Sequence, residues 1–303
     1  MNPKERVQAA INRQPHDRPP VFANLTPQMA QKLSDFMNLP FEKPEDSLLS
    51  TRISHPQLLT ALGNDCVGIA ACTPAERPLK INAEGLITNE YGMVFKNAGL
   101  YNEFHGYPLA NAETAADIEN YDWFDPEWPS RFALAHKTVK NYCHKYAIVA
   151  DLETSVFETA WYLTGLEKLL TDLLIEPEYL PLLLDKIMEI NLITGQILIA
   201  AGADIIWAGD DFGMQSGMIL DADLWRKHFK PRIKRLFEAF KKTNPSVKIA
   251  WHSCGSILPI IPDFIDIGLD ILNPLQPLAE GMNPEYLVQN FGRDLVFFGG
   301  IDI

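Results

Sequence analysis

The sequence predicts a (β/α)8 barrel of the TIM type on three observations: seven short apolar runs separated by helical patterns, a length suited to one such domain, and polar side chains at the ends of five consecutive runs. With 303 residues, 47% of them hydrophobic, the chain can bury a large core without disulfides or an obligatory metal.

The elements follow in order. The amino terminus, MNPKERVQAAINRQ, opens an amphipathic helix with Val7, Ala10 and Ile11 on one side, and it lacks the apolar stretch of an export signal. Strands are expected at residues 20–25, 66–70, 146–151, 203–208, 247–252, 269–273 and 295–300. They are nearly all apolar, as strands covered on both faces are. Residues 79–96 read as a β-hairpin excursion, and 101–131, aromatic and proline-bearing, as irregular. Pro177 opens a helix that carries Leu180, Leu183, Leu184, Ile187, Leu192 and Ile197 and ends at Gly202. A second helix is expected from about 224 to 242, with Trp225, Phe229, Ile233, Leu236, Phe237 and Phe240 along one face. No repeat or linker divides the chain, so residues 1–303 are expected to form a single domain. The seventh strand lies three residues from the last residue, whereas a barrel needs eight; the expectation is a C-terminally incomplete barrel lacking its last strand and helices.

Lys+Arg of 26 against Asp+Glu of 39 gives a net charge of −13, which repels nucleic acid and anionic membranes. No apolar run reaches the ~18 residues of a membrane span. Cys66, Cys72, Cys143 and Cys254 are scattered, which suits a reducing cytoplasm.

Just past the strands stand Asp151 and Glu153, then Asp210 and Asp211, His252 and Cys254, Asn273 and Gln276, and finally Asp302. In a barrel these ends converge on one mouth. Singly, each has a plainer reading: an acid after a strand often caps the next helix, and a His beside a Cys is often a hydrogen-bonded core pair. In IAWHSCGS, His252 and Cys254 are two residues apart, so both point to one face and Ser253 to the other. Imidazole nitrogen with thiolate sulfur suits zinc. In GDDFGMQ, the paired carboxylates could serve as general acid and base, as acceptors for substrate hydroxyls or as partners of a metal-bound histidine. Asp211 and Glu153 are thus candidates for catalysis, and Asp210, Gln215, Asn273, Gln276 and Asp302 for substrate binding. Neither GxGxxG, a Walker loop nor a GxSxG elbow occurs, so nucleotide and serine-hydrolase readings have no support.

The order of motifs resembles the uroporphyrinogen decarboxylase-like superfamily, which also contains the cobamide-dependent methyltransferases. The matching pieces are KERVQAAINRQPHDRPPV, LGNDCVGI, NEYG, LTGLEKLLTDLLIEPEYL, GDDFGMQ, WHSCGSILPIIPDFIDIGLDILNPLQ and FGRDLVFFGGID. True decarboxylases carry an arginine-rich RQAGRY segment after the first strand and an aspartate in an FSDIL-like segment; VFANLTPQMAQKL and CVGIAACTP hold neither. Resemblance to the methyltransferase branch implies zinc on His252 and Cys254, with a third ligand beyond the seventh strand. On that expectation the site is weakly held unless Glu153, Asp211 or a partner completes it. The implied function is zinc-dependent movement of a methyl group between a corrinoid (cobalamin) and a thiol, folate or methylated small molecule. The alternatives are uroporphyrinogen decarboxylation in porphyrin biosynthesis and a non-catalytic corrinoid- or metal-binding protein. Expected partners are the small-molecule substrate and a corrinoid protein, with a second copy of the chain as a further candidate.

Overall fold

The computed structural model describes residues 1–45, 52–99 and 102–300. The chain opens with helices α1 (Pro3–Ile11), α2 (Pro27–Met37) and α3 (Pro56–Ala61), followed by strand β1 (Cys66–Ile69). An antiparallel excursion comes next, β2 (Lys80–Ile81), β3 (Leu86–Thr88), β4 (Val94–Asn97) and β5 (Asn102–Gly106), then α4 (Ala115–Glu119) and α5 (Ala133–Tyr142). Strand β6 (Ala147–Asp151) leads to α6 (Phe157–Thr164), α7 (Leu166–Ile175) and α8 (Tyr179–Ala201). Strand β7 (Ile205–Gly209) is followed by the small hairpin β8 (Gly213–Met214) and β9 (Gly217–Met218), α9 (Ala222–His228) and α10 (Lys230–Thr243). Strand β10 (Lys248–His252), α11 (Ile261–Asp266), β11 (Ile271–Asn273), α12 (Pro284–Phe291) and β12 (Val296–Phe297) complete the order.

Six strands form one parallel sheet in the order β1-β6-β7-β10-β11-β12. They coincide with six of the seven expected runs, and helices lie between them in sequence as a barrel requires. Strand alternation sorts the side chains. Cys66, Ala147, Val149, Ile205, Ala250 and Ile271 gather with Val7 on one face. Val67, Ile69, Ile148, Ala150, Ile206, Ile249, Trp251 and Leu272 pack on the other against the helices, α8 with Leu183, Leu184 and Ile187 among them. Among the described residues no ladder joins β12 to β1, so the barrel wall is open there.

Residues 20–25 are the exception: they form no strand. Pro19 and Pro20 offer no N–H to a ladder. The backbone around them is satisfied by side chains instead, Val21 N–H donating to Asp65 Oδ2 at 2.8 Å and Asn64 Nδ2 to the Ala23 carbonyl at 2.8 Å. Phe22 packs against Trp207 and Phe298 with ring centroids 5.7 and 6.3 Å away. The expected helix from 224 to 242 is two helices, because Pro231 cannot donate to a carbonyl four residues back and breaks the chain of bonds near Phe229. The expected hairpin is a four-stranded antiparallel sheet. It is tied to the body by Arg131, whose guanidinium grips both oxygens of Glu90 at 2.7 Å.

At the amino-terminal ends of the strands one device recurs. Asp65, Asp204 and Asp270 each stand immediately before a strand and accept a backbone N–H from the neighbouring segment, that of Val21, Ile148 and Ile249 respectively. Each also meets cations: Arg6 and Arg18 at Asp65, Lys4 at Asp204, Lys241 and Lys248 at Asp270. The candidate site lies at the opposite ends.

Candidate metal centre

His252 is the last residue of β10, on the same face as Ala250, with its ring beside that of Trp207. Ser253 turns the other way, fully buried, and accepts the Phe212 N–H at 3.0 Å. Cys254 returns to the side of His252, its Sγ 3.4 Å from Nε2. Asp211, two residues beyond β7, brings Oδ1 to 3.4 Å from the same Nε2 and takes the Cys254 N–H at 2.7 Å. The ligand atoms of Asp211, His252 and Cys254 lie within 4.8 Å of one another, the one such group among the described residues.

Two glycines allow this approach. A Cβ on Gly213 would stand 2.5 Å from the Cys254 carbonyl oxygen, and one on Gly255 would collide with the Gly213 backbone. Gly255 also has φ +71, a conformation glycine adopts without strain. The Ser256 N–H then donates to the Met214 carbonyl at 2.9 Å, so the loops carrying Asp211 and Cys254 are joined backbone to backbone. From the next strand, Gln276 Oε1 takes the Gly255 N–H at 2.6 Å, and Asn273 Oδ1 meets His252 Nδ1 at 2.7 Å.

Burial alone would lower the pKa of His252, but hydrogen bonds to Asp211 and Cys254, the Asp211 charge and the bond to Asn273 raise it to about 10. Burial pushes Asp211 upward; its bonds to His252 and to Cys254 outweigh that and hold it below the usual carboxylate range. Glu158 moves the other way: burial, then the nearby Asp211 charge, push it up to about 7. It accepts the Asp211 N–H on Oε2 at 3.2 Å and the Tyr162 hydroxyl on Oε1 at 2.9 Å.

The other sequence candidates fall elsewhere. Asp210 is fully buried, its carboxylate taking the N–H groups of Ser155, Val156 and Glu158 at 2.9 to 3.1 Å, so it caps the start of α6 and has no surface to offer a substrate. Gln215 is exposed at the tip of the β8–β9 hairpin, outside the cluster. Glu153, buried and with φ +64, lines a separate cavity of about 20 Å³ with Tyr91, Asp151 and Asn191. Asp151 is engaged by Arg52 at 3.0 Å. Asn273 and Gln276 are buried and bonded to protein, and Asp302 lies outside the described residues. Sequence reading missed Glu158, which stands in the first turn of α6 with no spacing signal of its own.

A methyltransferase from Methanosarcina mazei is among the similar solved structures, with a TM-score of 0.56 and 19% identity over 94% of this chain and 81% of that chain. That likeness is one of fold. No curated protein matches the sequence. Residues 102–302, 201 of 303, match the model of the uroporphyrinogen decarboxylase (URO-D) family, and the chain belongs to that family.

Proposed function

We propose that this chain is a zinc-dependent methyltransferase working with a corrinoid, and that Asp211, His252 and Cys254 hold the metal. The observation that carries the reading is the convergence of one oxygen, one nitrogen and one sulfur donor within 4.8 Å, at the carboxyl ends of parallel strands where such barrels build their sites. Three protein ligands with a further position open is the donor count of a catalytic zinc site. The donor set fits, since a carboxylate, an imidazole and a thiol are all ordinary zinc ligands. Asp211 supplies within the chain the third ligand that the family resemblance places downstream.

When bound, the zinc would lower the pKa of a coordinated substrate thiol, making it a nucleophile toward a methyl group. The residues around it have separate tasks. Asp211 both ligates and, through the Cys254 N–H, fixes the loop that presents the sulfur. Glu158, accepting the Asp211 N–H on one carboxylate oxygen and the Tyr162 hydroxyl on the other, ties the loop that carries Asp211 to α6. Gln276 holds the Gly255 turn. The lack of the arginine-rich segment supports this branch of the family over decarboxylation. A cytoplasmic setting fits four cysteines scattered along the sequence without a paired framework; among the described residues no helix is long and apolar enough to cross a membrane.

The test is metal analysis of the purified chain, together with methyl transfer from methylcobalamin to a thiol or folate. One zinc per chain and a transfer rate lost on chelation and restored by zinc are expected. Decarboxylation of uroporphyrinogen without methyl transfer would replace the reading, and corrinoid binding without either reaction would make the chain a binding protein.

A further inference from the structure

We infer that Asn273 is a positioning residue that selects the tautomer of His252 and so keeps Nε2 available to the metal; this rests on the metal reading above. The bond directions follow from what each atom can do. The Phe298 carbonyl only accepts, so the Asn273 group 2.9 Å from it is the amide nitrogen, donating. That leaves Oδ1 facing His252 Nδ1 at 2.7 Å, and since Oδ1 cannot donate, Nδ1 carries the hydrogen. In a neutral imidazole the lone pair is then on Nε2, the nitrogen 3.4 Å from both Cys254 Sγ and Asp211 Oδ1.

The backbone holds this arrangement as firmly as the side chains do. Asn273 pairs with His252 in the β10–β11 ladder, the Ser253 N–H donates to the Asn273 carbonyl at 2.8 Å, and the residue is only 7% exposed. An amide suits the place because it accepts on one side and donates on the other, as the imidazole and the Phe298 carbonyl respectively require. Read from sequence as a substrate contact, Asn273 has both ends of its amide engaged by protein.

The experiment is cobalt(II) titration followed by the d–d and thiolate charge-transfer absorption, on the native chain, Asn273→Leu and Asn273→Asp. Asn273→Leu fills the space without an acceptor and is expected to bind cobalt ~10- to 100-fold more weakly, the usual cost of losing such a partner. Asn273→Asp still accepts from Nδ1 while giving up the donation to Phe298, and it is expected to bind at least as tightly as the native chain. Leucine binding like asparagine, or aspartate failing as badly as leucine, would overturn the assignment, the second outcome reducing Asn273 to an anchor for Phe298. Should the variants not fold, nitrogen–proton correlation spectra of the zinc-loaded native chain decide: a proton on His252 Nδ1 is expected, and a proton on Nε2 overturns the proposal. A native chain that binds no cobalt would bring down the metal reading itself, whereas a native chain that binds it with Asn273→Leu unaffected would bring down this inference alone.

Discussion

Glu158 shows how much one residue's surroundings can do. Its folded pKa of about 7 stands above the ~4.3 of an unfolded glutamate. A carboxyl raised in this way contributes stability that is fully present below about pH 4.3 and lost as pH rises through about 7, a total on the order of 4 kcal/mol at ~1.4 kcal/mol per unit. Glu158→Gln keeps an acceptor for the Asp211 N–H but cannot ionise. The metal-free variant should therefore gain on the native chain between pH 5 and pH 8, as read by urea unfolding at both; parallel pH profiles would refute the raised pKa. Metal binding should run in the opposite sense to protonation. His252, raised to about 10 without metal, must lose its Nε2 proton to ligate, so zinc affinity should climb with pH up to about 10. Competition with a chelator across pH 6–9 measures this, and a flat profile would mean that His252 is not a ligand. His252 and Cys254 were legible in the sequence because strand alternation alone puts them on one side. Glu158 was not, because it reaches Asp211 only through the packing of α6 against the end of β7.

Among the elements, the two loops above β7 and β10 depend on a contact that sequence hints at and only the fold explains. Gly213 and Gly255 stand after different strands, yet their backbones touch. Gly255→Ala would have to adopt φ +71 and intrude on Gly213, a combined strain of about 2–4 kcal/mol. Its main effect is expected at the site, where separating the loops pulls Cys254 from Asp211. Cobalt titration should show affinity reduced at least tenfold with the far-ultraviolet circular dichroism spectrum retained, and native affinity in this variant would show that the contact does not set the metal geometry. The same gap between pattern and packing explains the elements that differ from expectation. Apolar runs marked the six parallel strands well, because burial on both faces leaves little choice of residue. Residues 20–25 share that composition, but Pro20 offers no N–H to a ladder and the Val21 N–H is taken by Asp65, and the helix pattern of 224–242 passes through Pro231, which periodicity does not register. The excursion reads as one hairpin in the sequence because β2 and β5 lie on exposed edges, where alternation is weak.

Across the whole molecule the two ends of the sheet divide the work. Aspartates before β1, β7 and β11 join neighbouring segments to cations at the amino ends, while Asp211, His252 and Cys254 gather at the carboxyl ends. This is the separation of stability from chemistry that a parallel barrel imposes, since loops at the carboxyl ends can vary without disturbing the opposite face. Asp270 tests it directly. Its carboxylate holds the Ile249 N–H at 2.9 Å and Lys241 at 2.7 Å, and Ile249 lies on β10, three residues before His252. If the strand transmits disturbance along its length, Asp270→Ala will weaken the metal site. If the ladders on both sides hold β10 in register, the damage stays local, and those ladders are extensive: five residue pairs join β10 to β7 and three join it to β11. The second outcome is expected. Asp270→Ala should cost about 2–3 kcal/mol by leaving the Ile249 N–H without its acceptor and two ammonium groups without their carboxylate, lowering the midpoint of thermal unfolding by several degrees. Cobalt affinity should stay within experimental error of native. A loss of affinity comparable to that of Gly255→Ala would mean that β10 carries strain from one end of the sheet to the other, and that the base of this fold helps set its chemistry.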